Sequence, residues 1–459
     1  MRFPRSSLLA FSLLVGASSA VALVATEREA QACGGCFHPS EDNSIITDHR
    51  MVLTVSPQQT TLYDQIRYQG NPKSFAWVLP IKGEAIVGVS SDAVMGVLDT
   101  NTSVQVFAPP QNCPGPPASC QREGTFGAAD AGSASPPGVD VLRQETVGPY
   151  ETVQLRSTDP QALTTWLSQK GYTIGPEIAP VVAAYVAEGF DFLALKLIPG
   201  AGVTSMKPVR VSTRGASPVL PLRMVAAGTG AVVGITLWVI GDGRWEPQNF
   251  RSFVVKQEEL TWNWASSSSN FKSLRAEKNA ALGGSAWEIE SATTQYGGDL
   301  KRRIEQSVRF NPRTGSADLA DEYPAKLNDQ GGVLQTPAQV FAEDMGFLLG
   351  NKDALRVTRM RADLPQASLA ADLSLQASAD QGELARARQI TKEQDLPLCP
   401  VYDECKVIGQ APRGTAVTVG SGGGGCATGP SGRGGMWAGL FGLGLVGVAA
   451  FRARRRISR

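Results

Sequence analysis

The residues best suited to covalent chemistry are seven cysteines: Cys33, Cys36, Cys113, Cys120, Cys399, Cys405 and Cys426. Six fall into sequence-local pairs, Cys33-Gly-Gly-Cys36, Cys113 with Cys120, and Cys399-Pro-Val-Tyr-Asp-Glu-Cys405, while Cys426 stands apart in the tail. An even set in an exported chain points to disulfides, and the spacing suggests local pairing among the many connectivities that six cysteines allow. Cys33-Gly-Gly-Cys36 also has the spacing of a redox motif or of half a metal site. A thioredoxin-type motif sits between a strand and a helix. Here Ala30-Gln31-Ala32 precedes it and Phe37-His38-Pro39 follows. A zinc site would need two more ligands, and only His38 and His49 are near. A structural disulfide is the expectation, with thiol–disulfide chemistry at Cys33 and Cys36 as an alternative.

Those two histidines are the only ones in the chain. A Ser-His-Asp triad or a His-rich metal centre is therefore not expected. Catalysis would fall to carboxylates. Asp318, Asp321 and Glu322 cluster and could bind Ca²⁺ or form an acid–base pair, but the simpler reading is a solvated acidic loop. Trp262 and Trp264 are spaced for one face of a strand, either stacking on sugars or packing within a sheet, and the latter is the expectation. Lys301-Arg302-Arg303 reads as a wet helix face beside Leu300 and Ile304. Gly228-Thr-Gly230 lacks the strand–glycine–helix context and the lysine of a phosphate-binding loop. No cofactor is implied and no catalytic set stands out.

Both ends read as addresses. Arg2 and Arg5 precede an apolar run from Leu8 to Ala25, and Ala30-Gln31-Ala32 supplies a small-x-small cleavage site. Residues 1–32 are thus a signal peptide, with an uncleaved anchor as the rival. Cleavage would leave Cys33 first, as in a lipoprotein, but Ala30 stands where such sites want a Leu-like residue. At the other end, Gly420 to Gly425 form a stalk before Cys426. An apolar segment from Met436 to Phe451 follows, then Arg452, Arg454, Arg455 and Arg456. Stalk, lone cysteine, apolar helix and arginine cluster in this order resemble the MYXO-CTERM sorting tail over about the last 35 residues. The resemblance implies a sorting protease, cleavage near Cys426, and anchoring of the body at the cell surface through a lipid on that cysteine. A permanent single-pass anchor in the inner membrane, with the body facing the periplasm, is the alternative. Signal peptidase, the sorting protease and the membrane are the partners implied; an extracellular ligand is not identified.

The chain has 459 residues, 42% hydrophobic and 19% charged, enough for a packed core. Removing the three Arg and two Glu of residues 1–32 and the six Arg of 426–459 from 43 basic and 42 acidic residues leaves 34 and 40. The body is therefore mildly acidic, and nucleic acid is not an expected partner.

The elements that must position any site follow from periodicity. Alternation predicts strands over 49–55 and 62–68, and Phe75 to Pro80 reads as an aromatic-rich core strand. A helix follows Ser90 or Ser91, bearing Val94, Met95, Val97 and Leu98. Residues 109–138 are low-complexity and read as a surface insertion. Asp159-Pro160 opens a helix, a second starts near Pro180, and strands return at 190–198, 207–213, 219–226 and 231–240. The unbroken apolar run of the last predicts a strand buried on both faces. Helices are expected at 270–282, at 299–310 and after Thr336-Pro337, where Gln339 completes a capping box. Trp287 to Ile289 reads as either strand or helix, and strands are expected at 355–363 and 369–376. This order is not an alternating βαβ run. It predicts an α+β fold with antiparallel-rich sheets and several packed helices, between an N-terminal signal segment and a C-terminal hydrophobic helix. The organisation is a body at 33–398, a disulfide loop and stalk at 399–425, and the sorting tail at 426–459.

Three features together resemble a known family. They are the Cys-Gly-Gly-Cys start after the Ala-x-Ala site, Gln65-Ile66-Arg67-Tyr68-Gln69-Gly70, and Phe75-Ala76-Trp77-Val78-Leu79-Pro80. This looks like bacterial domain-of-unknown-function family 2330, most strongly over 33–107, and more weakly through 140–265 and 355–376. The resemblance implies an exported bacterial protein and supplies no catalytic residues. The expected function is a surface-tethered, non-catalytic binding or structural module; an exported hydrolase using a carboxylate pair is the alternative.

Overall fold

The computed structural model describes residues 36–37, 45–69, 76–115, 144–147, 149–170, 178–198, 206–226, 229–310, 318–327, 332–350, 352–403 and 405–415. The signal and sorting segments, with Ala30, Ala32, Cys426, Arg452, Arg454, Arg455 and Arg456, lie outside these, as do Cys33, Cys120 and most of the low-complexity insertion.

The frame is an eight-stranded sheet. Its order is Ser252–Phe253, Trp287–Tyr296, Ala354–Pro365, Thr229–Gly241, Ile45–Val55, Gln59–Gln69, Val209–Arg214 and Ala85–Val89. Thr229–Gly241 lies at its centre, parallel to Ile45–Val55 and antiparallel to Ala354–Pro365, as its unbroken apolar run requires. A second, five-stranded antiparallel sheet orders Cys36–Phe37, Ala76–Ile81, Asp191–Leu197, Tyr150–Leu155 and Gln144–Val147. The fold class is α+β.

Side-chain alternation sorts the chain into four layers. On one face of the large sheet, Val52, Tyr63 and Trp238 pack against the helices Asp92–Thr102, Gly297–Arg309 and Pro337–Leu349. On the other, Ile66, Val209 and Val211 meet Trp77, Leu79 and Leu195 of the second sheet. The far side of that sheet, with Val78, Phe192 and Ala194, is covered by the helices Pro160–Gln169 and Ala179–Ala187.

The helix starts follow from capping chemistry. Ser91, Asp159 and Thr336 accept hydrogen bonds from the backbone of Ala93, Gln161 and Gln339, and Gln339 returns the bond to Thr336. Three segments differ from expectation. Only Val219–Leu220 of 219–226 is a strand. Pro221 cannot donate to a ladder, and Leu222–Val225 closes into a helical turn. The 369–376 strand starts at Leu373, because Gln366–Ala370 winds into a 3₁₀ turn after Pro365. The region expected to be a disulfide loop from Cys399 is a β-hairpin, Leu398–Asp403 paired with Lys406–Pro412.

Candidate functional site

The densest polar chemistry sits on the helix-facing side of the large sheet. It starts at Glu288 and Glu290, 1% and 7% exposed. The register of Trp287–Tyr296 against Ala354–Pro365 slips between Ile289 and Ser291. This bulge sets Glu290 beside Glu288 rather than in the ladder. The neighbouring strand supplies Arg359, which bonds Glu290 and also Asp99 of the Asp92–Thr102 helix. Arg50 lies 3.5 Å from the same Asp99. Both guanidiniums flank Trp238, at 5.5 and 5.2 Å from its ring, and Trp238 Nε1 donates to Thr102 Oγ1 at 2.8 Å. Arg388 donates to the backbone oxygens of Val255 and Glu290.

Glu288 is held differently. Arg275, on the Phe271–Ala281 helix, places Nε 2.7 Å from Glu288 Oε2 without the alignment of a hydrogen bond, and its Nη2 pairs with Asp363 at 2.8 Å. Arg361 shares Asp363. Beyond it lies Asp48, whose carboxyl is raised by burial. Gly234 sits between Asp48 and Asp363, and a Cβ there would stand 2.8 Å from Asp48 Oδ1. Burial, and then the charge of Glu290, push the Glu288 carboxyl up to about 7, against the pull of Arg275 and Arg388.

A carboxyl titrating near neutrality beside a second carboxylate is the raw material of acid–base catalysis. Here, however, both groups are buried and each faces an arginine. The arrangement can hold a proton and tie four strands of the large sheet to two helices and to the short strand of Arg388.

A second buried network occupies the same side of the sheet. Arg210 pairs with Asp344 at 3.0 Å and Glu343 at 2.6 Å, and Ser90 Oγ and Tyr323 OH donate to Asp344 Oδ2. Gly88 leaves room for it; a Cβ there would lie 2.4 Å from Arg210 Nη2. Burial opposes the charge on Glu343, yet Arg210, Gln335 and Lys326 outweigh it and hold the carboxyl at about 2. Beside them Lys207 and Glu322 pair at 2.7 Å, both buried.

That pair corrects the reading of Asp318, Asp321 and Glu322 as a solvated acidic loop. Asp318 caps the short Leu319–Glu322 helix and Asp321 bonds back to its amide, while Glu322 turns inward to Lys207. Two of the three carboxylates are thus taken up by the cap and the third by Lys207. Among the described residues, no cluster of three His, Cys, Asp or Glu could hold a metal ion.

His49 is fully buried, with Nδ1 3.1 and 3.2 Å from the carboxylate oxygens of Asp64. Among the described residues its Nε2 has no hydrogen-bond partner. Trp262 and Trp264 pack edge to face at 5.9 Å, and Trp264 Nε1 donates to Glu393, as sheet packing predicts. Lys301, Arg302 and Arg303 are exposed on their helix.

The local cysteine pairing is overturned. Cys113 bonds Cys399, with Cα atoms 5.3 Å apart at a sequence separation of 286. The Leu398–Asp403 strand carries Cys399 to the start of the insertion, and its bond to Cys113 leaves no sulfur for Cys405. Cys405 is disulfide-bonded too, to none of the cysteines whose side chains are described. Only the backbone of Cys36 is described, so the Cys33–Cys36 motif lies outside this account. Among the described residues no helix is long and apolar enough to cross a membrane.

Glu288, Glu290, Asp344 and Arg210 were not singled out by sequence. The detectable signal was a charged residue at an inward position of a core strand, as in Trp287-Glu-Ile-Glu290. No curated protein and no solved structure matches the chain. Residues 28–375 match the family described as uncharacterized protein conserved in bacteria (DUF2330), and the chain belongs to that family.

Proposed function

We propose that the chain is an exported module, held at the cell envelope by its C-terminal tail, that acts by binding or by structural support rather than by catalysis. The Cys113–Cys399 disulfide carries this reading. Disulfides persist in oxidising compartments, and this one ties the start of the low-complexity insertion to the hairpin from which the stalk departs. In the chain-entropy picture a loop of this size lowers the entropy of the unfolded state by on the order of 5 kcal/mol, a large gain for a body exposed outside the cell.

The non-catalytic part is supported by the burial of the acidic groups and their pairing with arginine. The hydrolase reading draws on one observation, the Glu288 carboxyl raised to about 7 beside Glu290. It would require Arg275 and its helix to swing away from the sheet.

The test is intact mass spectrometry of the chain recovered from native membranes. Mature ends at Cys33 and near Cys426, with a lipid-sized increment at the latter, are expected. A mass still containing Arg459 would sink the sorting reading.

A further inference from the structure

The two sheets do not close completely against each other. At one end they leave a slot open to solvent, walled by Leu53 and Val211 from the large sheet, Leu79 and Ile81 from the small one, and Phe190. Only a small part of it is wide enough for water, so the slot is thin. An unbranched methylene chain fits such a slit, and a fused ring does not. Its walls are the apolar lining that small-molecule sites favour.

The mouth is polar in a directed way. Lys82 stands there with Nζ 4.7 Å from the Phe190 ring, and Thr213 and Ser217 complete the rim. Among the described residues Lys82 makes no ion pair, and neither hydroxyl has a hydrogen-bond partner. Outside the slot, a shelf shares Lys82 and Thr213 and adds Arg214 and Glu84, two cations to one anion. Arg214 is likewise unpaired among the described residues. The carboxylate on the inner wall, Asp372, is already occupied by Tyr185 OH and by Arg223, which also clamps Glu188. Asp372 is thus hydrogen-bonded and ion-paired where it lines the slot, with Arg223 shared between two carboxylates. What remains at the mouth is a set of hydroxyl donors around the Lys82 ammonium, whose charge also reaches Glu188; ammonium and hydroxyls together are the chemistry that captures an anionic oxygen group.

We infer that this slot binds an amphipathic anion with one unbranched acyl chain, the chain lying between the sheets and the head group on Lys82, Thr213 and Ser217. The inference rests on the reading of the body as a binding module and names its ligand class. A free fatty acid and a single-chain phospholipid share this chemistry.

The test uses the full chain in phosphatidylcholine nanodiscs. A dodecanoate carrying a terminal diazirine is photolysed with it, and the labelled peptides are mapped. Dodecanoate, dodecyl phosphate and dodecyltrimethylammonium serve as competitors. Saturable labelling of the slot walls is expected, with either anion competing at least tenfold better than the cation. The better anion identifies the head group. Lys82→Glu, at an exposed side chain, is expected to cut labelling at least tenfold. Val219→Trp, at the 37% exposed rim, is expected to abolish it. Absence of saturable labelling, equal competition by the cation, or native labelling in both variants would overturn the assignment. A labelled but untrimmed chain would uphold the slot and sink the envelope address; a trimmed, anchored chain that takes no label would do the reverse.

Discussion

Cys113 and Cys399 stand 286 positions apart in sequence and 5.3 Å apart at Cα, bonded through sulfur. The bond fastens the C-terminal hairpin to the point where the insertion leaves the fold. Cys399→Ser is therefore expected to lower stability by about 2–5 kcal/mol. Urea denaturation at pH 7 of native, Cys399→Ser, Cys113→Ser and double-variant proteins checks this. Because one bond is lost in every case, the double variant should match either single one. Additive losses would contradict the pairing.

The Glu288 carboxyl makes stability depend on pH with a definite sign. Its folded pKa, about 7, lies above the ordinary value of 4.5. The folded state therefore holds a proton that the unfolded state releases. This contribution is complete below about pH 4.5 and is lost as pH rises through about 7, some 3 kcal/mol in all. Glu288→Gln keeps the neutral shape without the titration. Relative to the native protein, the variant should gain stability progressively between pH 5 and 8, as measured by denaturant midpoints. A constant offset over that range would exclude the raised carboxyl.

Glu343 acts in the opposite direction. Held at about 2, below its ordinary 4.5, it contributes stability that is present above about pH 4.5 and lost as pH falls towards 2. Glu343→Gln should weaken the native protein at pH 7 and converge on it near pH 2. Thermal unfolding across that range provides the measurement.

Arg210 and Asp344 form a buried ion pair whose separation leaves an uncompensated charge. Asp344→Ala is expected to cost about 3–5 kcal/mol. Gly88→Ala should disturb the same pair from the other side, because the new methyl group would occupy the place of the guanidinium. Ala substitution at Gly96, with nothing within 4 Å of its Cβ position, is the control and should be near neutral or mildly stabilising. Equal stability of the Gly88 and Gly96 variants would show that Arg210 is not held there.

Thr336 caps the Pro337–Leu349 helix with its side chain and with the reciprocal bond from Gln339. Thr336→Ala should cost about 0.5–2 kcal/mol, and Thr336→Ser much less. Chemical denaturation of the two variants separates the cap from a general surface effect.

Local chemistry was readable from sequence alone. A cap at Ser90 or Ser91, caps at Asp159 and Thr336, the apolar stripe of Leu300, Ile304 and Val308, and the central strand, buried from 235 to 240 while Val232 is exposed, each depend on residues a few positions apart. Their outcome is set by backbone hydrogen bonding and periodic burial. The membership of the family was readable for a similar reason, since it rests on short contiguous strings such as Phe75 to Pro80.

Tertiary structure decided what depends on distant partners. Whether Glu322 faces water or Lys207, 115 positions away, is a matter of which strand lies opposite, and acidity in sequence carries no sign of it. The same holds for Cys113, whose nearest cysteine in sequence is not its partner. The slot beneath Lys82 exists only because two sheets, assembled from separate stretches of chain, splay at one end. Side-chain pattern sets which face of a strand is buried, but the closure of one sheet on another is settled by packing across the whole interface.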